Sequence, residues 1–154
     1  MNRSLSPVAP HAARRGTSIV ELVVLCTLIG LVASIAVPRA RYVLDGLRLR
    51  QAAHEVSGAI ALTRAAAIRR GERARFVLDR SRNTIRVVAG TDTLLRRNLG
   101  DLHRVALRAS RDTITYAPTG LGWGLANSTI VVSIGVRAET VTVARLGRAR
   151  ASYD

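Results

Sequence analysis

The amino-acid sequence predicts an α+β fold: a long N-terminal helix, membrane-spanning in its first half, packs through its second half on a C-terminal antiparallel β domain. Three observations predict it. From Thr17 to Val37 the only ionisable side chains are Glu21 and Cys26, and a helix of that length reaches about 31 Å, close to the hydrocarbon thickness of a bilayer. Leu49, Ala53, Val56, Ile60, Thr63 and Ala67 then recur at steps of three and four, an apolar stripe on one helical face. From Glu72 onward the period changes to two, with β-branched residues in short runs separated by turn chemistry.

In order, residues 1–13 hold two prolines and no helical periodicity, and are expected to be a disposable leader. Residues 17–37 form the span. Pro38 is expected to interrupt or bend the helix, because it donates no amide hydrogen and crowds the preceding turn. Residues 38–70 continue as the amphipathic half of the helix, and Gly71 supplies the stop. The β domain occupies 71–154. Its expected strands are Arg73–Leu78, Thr84–Ala89, Thr93–Arg97, Val105–Ala109, Thr113–Tyr116, Ser128–Ile134 and Thr140–Leu146, with turns at Asp79–Asn83, Gly90–Asp92, Ser110–Asp112 and Gly135–Glu139. Such short connections suit antiparallel meanders in one sheet against the helix. The lone tryptophan, Trp123, either plugs the small core, the favoured placement, or contacts a neighbouring subunit.

Composition narrows the function. A chain of 154 residues with 48% hydrophobic and 22% charged content holds one domain plus a membrane segment. All 24 basic residues are arginine, set against 10 acids. Loss of residues 1–16 removes Arg3, Arg14 and Arg15 and leaves a net charge of +11, a basic surface suited to anionic partners. Cys26 is the single cysteine, so no intrachain disulfide, metal site or redox motif is built from it. His54, with only His11 and His103 elsewhere, has no ligand cluster and reads as structural or solvated. Gly120, Gly122 and Gly124 make a glycine-rich loop, but Leu125 breaks the dinucleotide-binding spacing, and no phosphate loop, nucleophile elbow or HExxH motif occurs. The expectation is a protein that is not an enzyme, with no catalytic residue, no metal and no cofactor.

Arg14 and Arg15 precede Gly16, a carboxylate follows at Glu21, and Pro38 falls at the twenty-second position from Thr17. This spacing resembles the type IV prepilin signature, and so a type IV pilin-like fold. The resemblance implies that a prepilin peptidase cuts after Gly16, that the new N-terminus at Thr17 is N-methylated, and that Glu21 and Pro38 serve assembly, Glu21 by pairing with the N-terminal amine of the adjacent subunit. Thr17 departs from the family's usual phenylalanine. On the residues alone, a carboxylate carried into an apolar span costs up to about 3 kcal/mol unless something pairs with it; the bland reading leaves Glu21 wet at the headgroups. A secretory signal peptide with its apolar core at Leu22–Ile35 and a small-x-small site at Ser34–Ala36 is the rival. Arg39, Arg41, Arg48 and Arg50 follow the span as closely as the leader arginines precede it, so charge bias does not orient it.

With the short arginine-rich helix, ITYAPTGLGWG at 114–124 and a final hairpin ending VARLGRAR at 143–150, the chain resembles the GspH/FimT group of minor pseudopilins. That resemblance implies a single-pass bacterial inner-membrane protein whose C-terminal domain lies in the periplasm. It also implies partnership with other pseudopilins or pilins through the N-terminal helix, and a structural place near the tip of a type II secretion pseudopilus, supporting protein secretion across the outer membrane. The alternative is a FimT-like minor type IV pilin in pilus assembly or DNA uptake. There DNA would be the partner, bound through Gly147, Arg148 and Arg150, with Arg145 and Arg137 extending the patch, since arginines alternating along an extended segment can each contact a phosphate.

Overall fold

The computed structural model describes residues 18–124, 127–144 and 149–153, the last five as backbone. The chain divides into two units, Met1–Ala40 and Arg41–Asp154. Helix α1 is assigned from Ile19 to Arg70, with Pro38 inside it. The interruption expected at Pro38 is therefore absent: a proline deletes one i→i−4 hydrogen bond, and the turns on either side keep theirs. Gly71, at φ +63°, ends the helix as expected.

Within the first unit the helix is apolar all round and every described residue is exposed. Ser18 starts it: the Val20 amide donates to Ser18 Oγ at 3.3 Å, and the Leu22 amide to the Ser18 carbonyl at 3.1 Å.

In the second unit the helix buries Leu49, Ala52, Ala53, Val56, Ala59, Ile60, Thr63, Ala66 and Ala67. All six positions of the sequence stripe are among them. Alanines dominate this face, so the helix backbone can lie close to the strands, and the one polar member satisfies itself through a Thr63 Oγ1 hydrogen bond to the Ala59 carbonyl.

Eight strands and a short helix follow. They are β1 (Ala74–Asp79), β2 (Thr84–Ala89), β3 (Asp92–Asn98), α2 (Leu99–His103), β4 (Ala106–Ala109), β5 (Thr113–Tyr116), β6 (Ser128–Ile134), β7 (Arg137–Val143) and β8 (Ala149–Tyr153). They make two antiparallel four-stranded sheets, ordered β3-β2-β1-β5 and β4-β6-β7-β8, where one sheet was expected. The chain crosses between them, because β5 pairs with β1 while β4 pairs with β6. Strands β1, β2, β5, β6 and β7 alternate between buried and more exposed positions along most of their length, as strands of half-wet sheets do. Phe76 and Val87 are cross-strand partners, as are Leu78 and Ile85, and these four join Ile114, Ile130, Val132, Val141 and the helix alanines in one buried cluster.

Most strand ends fall within a residue of expectation, and three differences are larger. Strand β7 starts at Arg137 instead of Thr140, because the turn is a two-residue loop of Gly135 and Val136, with Gly135 at φ +58°. Helix α2 fills a stretch expected to be a connection, and β8 adds a strand where none was expected.

Candidate functional site

Among the described residues, α1 is the one helix long and apolar enough to cross a membrane. Its apolar stretch is exposed, with Leu22, Ile29 and Ile35 each more than half so. The polar side chains there are neutralised inside the helix: Thr27 Oγ1 donates to the Val23 carbonyl at 2.8 Å and Ser34 Oγ to Leu31 at 2.7 Å. A helix that is apolar on every face and satisfies its own hydroxyls is suited to lipid or to packing among similar helices. Glu21 stands in the first turn, where the helix dipole favours an anion. Ser18, three residues before it, is the residue sequence reasoning missed; the Ser18-x-x-Glu21 spacing is a helix-start pattern that was there to be read. Gly16 and Thr17 lie outside the described residues.

The basic positions fall in different places. Gly147, Arg145 and Arg148 lie outside the described residues. Arg150 belongs to β8, where its backbone pairs with Thr142. Arg137 begins β7, five residues and about 17 Å of strand from Thr142, so it stands near the other end of this hairpin. The Arg137 guanidinium lies 3.9 Å from the Tyr42 ring centroid and donates to the Tyr42 carbonyl at 2.9 Å. Gly46 makes room for it, since a Cβ there would stand 2.9 Å from Arg137 Nη1.

Beside this contact sits the acid that sequence reasoning missed. Glu139 faces the core and is 6% exposed, with Oε1 4.0 Å from Arg50 Nε and Oε2 buried without a hydrogen-bond partner. Burial raises its pKa above the usual glutamate value, and the charges of Arg50 and Arg137 pull the other way. Tyr42, Gly46, Leu49, Arg50, Arg137 and Glu139 line a concavity of about 480 Å³. A polar strand start, read from sequence as part of a turn, hid this arrangement.

Trp123 is 54% exposed, so its favoured core placement is corrected. Tyr116 and Phe76 fill the interior instead, both fully buried. Trp123 sits on the 117–124 loop, its amide bonded to the Thr115 carbonyl, with the Arg73 guanidinium 3.8 Å from a ring centroid. The same loop is held to α1 by Arg64 Nε, which donates to the Gly120 carbonyl at 2.9 Å. His54 is exposed. His103 pairs with Glu55 Oε1 at 2.9 Å and so ties α2 to α1. Among the described residues no group of His, Cys, Asp or Glu could hold a metal ion.

Residues 52–147 match the family model described as type II transport protein GspH. The fold is similar to that of the type IV minor pilin FimU of Pseudomonas aeruginosa, with a TM-score of 0.56 at 11% identity, covering 68% of this chain and 92% of that one. A second crystal form of FimU gives the same score at 12% identity, covering 68% of this chain and 87% of that one. The minor pseudopilin EpsH from the type 2 secretion system of Vibrio cholerae has a TM-score of 0.55 at 11% identity, covering 69% of this chain and 97% of that one. No curated protein matches the chain in sequence.

Proposed function

The chain belongs to the GspH family of type II transport proteins, and from that premise we propose that it is a minor pseudopilin, a structural, non-catalytic subunit near the tip of a type II secretion pseudopilus. The observation that carries the reading is the exposed apolar stretch of α1, with Glu21 as its one acid, joined in sequence to a pilin-like α+β domain. In this reading the prepilin peptidase removes residues 1–16, Thr17 becomes the methylated N-terminus, and the helix anchors the protein in the inner membrane with its domain in the periplasm. Glu21 then pairs with the terminal amine of the adjacent subunit, an ion pair strengthened by the low dielectric around it, and Pro38 belongs to the same assembly segment.

Replacing Glu21 with leucine separates insertion from assembly. Glu21→Leu is expected to remain in the membrane fraction with Thr17 as its sequenced N-terminus, and to lose co-purification with neighbouring pseudopilins. Wild-type co-purification would remove Glu21 from assembly, and an N-terminus at Val37 would replace the prepilin reading with a secreted soluble domain.

The excess of arginine supports a second reading, a FimT-like minor pilin that binds DNA through Arg148 and Arg150. Log affinity for duplexes of any sequence should then fall with log salt by about 0.9 per phosphate contact, and the double alanine variant should flatten that slope by about two contacts. An unchanged slope removes these two residues from DNA binding.

A further inference from the structure

A concavity of about 660 Å³ lies where the start of β2, the end of β3, α2 and the start of β4 meet, and Arg82, Arg96 and Arg104 line it together. We propose that it is a phosphate-binding site, taking a phosphate ester through these three guanidinium groups. The proposal stands apart from both functional readings above, since it uses none of their residues.

Three independent features of this place point to an external anion. The first is charge without a partner. Four arginines of the domain are matched to acids, Arg48 to Asp45, Arg50 to Glu139, Arg70 to Asp92 and Arg80 to Asp112, and none of these four lines the concavity. Among the described residues Arg82, Arg96 and Arg104 form no ion pair; Arg82 only lowers the pKa of Asp79 from a distance, while its amide bonds to that carboxylate. The second is the cross-strand register, which sets Arg96 of the lining directly opposite Arg86, a residue outside it. Like charges facing one another destabilise a sheet, and no acid on either strand lies between them.

The third feature is backbone strain. Asn83 at φ +49° and Arg104 at φ +57° are the two non-glycine residues with positive φ among those described, and both line this concavity. Asn83 serves as a strut: its carbonyl accepts from the Leu99 and Gly100 amides, and its Oδ1 from the Leu107 amide. Asparagine tolerates that conformation. Arginine does not favour it, and a glycine at the C-cap of α2 would cost less. An arginine standing where glycine is the cheaper residue fits a role for its side chain.

Charge selects the ligand class. Asp101 is the one acid lining the concavity, and its carboxylate is already engaged by the Asn98 side-chain amide. Three cations against one acid leave an excess of two, which suits a phosphate monoester or a pair of phosphate groups better than a single carboxylate. The planar guanidinium fork matches phosphate oxygens in pairs, and Ser81, Asn83 and Thr84 add neutral polar atoms to the lining.

The test is calorimetric titration of the full chain in nonionic detergent with pyrophosphate at low salt, with succinate as the carboxylate comparator. Pyrophosphate is expected to bind, and to bind more tightly than succinate. Arg96→Gln should weaken it about tenfold, the loss expected for one charge-assisted hydrogen bond. Arg104→Gly should weaken it similarly while raising the melting temperature, an opposition of sign that a purely structural role for Arg104 would not produce. Arg108→Gln, on β4 of the other sheet, should leave it unchanged. Displacement of pyrophosphate by glycerophosphoglycerol would place the phosphate in a lipid headgroup, and failure to displace would place it in a soluble ester; either keeps the site. Absence of pyrophosphate binding overturns the proposal. So does succinate binding as tightly, or an equal weakening by Arg108→Gln, which would make the effect one of net charge.

Discussion

Ile60 is the most direct test of how the domain is held together. It is 1% exposed and belongs to the core cluster shared by α1 and both sheets, so Ile60→Ala removes buried methyl and methylene groups from the core. Such truncations cost about 2–5 kcal/mol, set against about 5–15 kcal/mol for a whole domain. Ile60→Asp adds an unpaired buried charge, several kcal/mol more, and should leave the domain unfolded. At roughly 4–8 °C per kcal/mol for a domain near this size, the alanine variant should melt at least about 8 °C below wild type by circular dichroism in nonionic detergent. Ala61, next in sequence and exposed, is the control, since Ala61→Asp should move the midpoint by only a degree or two. An Ile60→Ala melt within 2 °C of wild type, or an Ala61→Asp loss as large, would mean that the buried face of α1 is misassigned.

Three further outcomes follow from particular contacts. Because burial raises the folded pKa of Glu139 above 4.5, the folded state takes up a proton before the unfolded chain does. Wild type should therefore gain stability relative to Glu139→Gln as pH falls through the folded pKa towards the ordinary glutamate value, and lose that gain as pH rises again; parallel pH profiles of the two melts would refute it. Gly120→Ala should destabilise by about 1–2 kcal/mol, because φ is +77° there, and a new Cβ would also meet Ile68 Cδ1 at 2.7 Å; an unchanged melting temperature would count against this loop geometry. Arg137→Lys should cost about 1 kcal/mol or more through loss of the flat stack on Tyr42, and equal stability of the two proteins by chemical denaturation would show the contact to be inert.

The parts legible in the sequence are those whose partners lie nearby in the chain. The face of α1 from Leu49 to Ala67 followed from its period alone, and β2, β5 and β6 from β-branched runs bounded by turn residues, because local pattern and tertiary burial agree there. The parts that were not legible depend on distant partners. Whether β5 joins β1 or extends the β4–β6 pairing is set by register across the chain, so two sheets were read as one. Strand β7 opens with Arg137-Ala138-Glu139, a polar start that resembles a turn until Tyr42 and Arg50 of α1 are seen against it. Helix α2 is too short to show a period, although Asn98 three residues before Asp101 is a capping pattern. Trp123, read as core because large aromatics usually are, is carried outward by a loop whose neighbours Gly120 and Gly124 both have positive φ.

The all-arginine composition gains a physical reading from these contacts. A lysine ammonium is a compact point charge, whereas a guanidinium is a flat, five-donor plate that can stack and donate at once. Several arginines of this domain use that shape. Arg137 stacks on Tyr42 while bonding its carbonyl, Arg73 lies over Trp123, Arg64 pins the Gly120 carbonyl from the helix, and Arg80 grips both oxygens of Asp112, at 2.5 and 2.9 Å. Each ties together elements far apart in sequence, work that a chain with only 3% aromatic content and an alanine-rich helix face cannot leave to large core side chains. Arg82, Arg96 and Arg104 are of another kind: they line one concavity, Arg96 faces Arg86 across a strand pair, and Arg104 occupies a strained backbone position. Charge alone would class all of these arginines together. Geometry separates those that hold the fold from those that it presents outward, and it is on the second group that the proposed phosphate site rests.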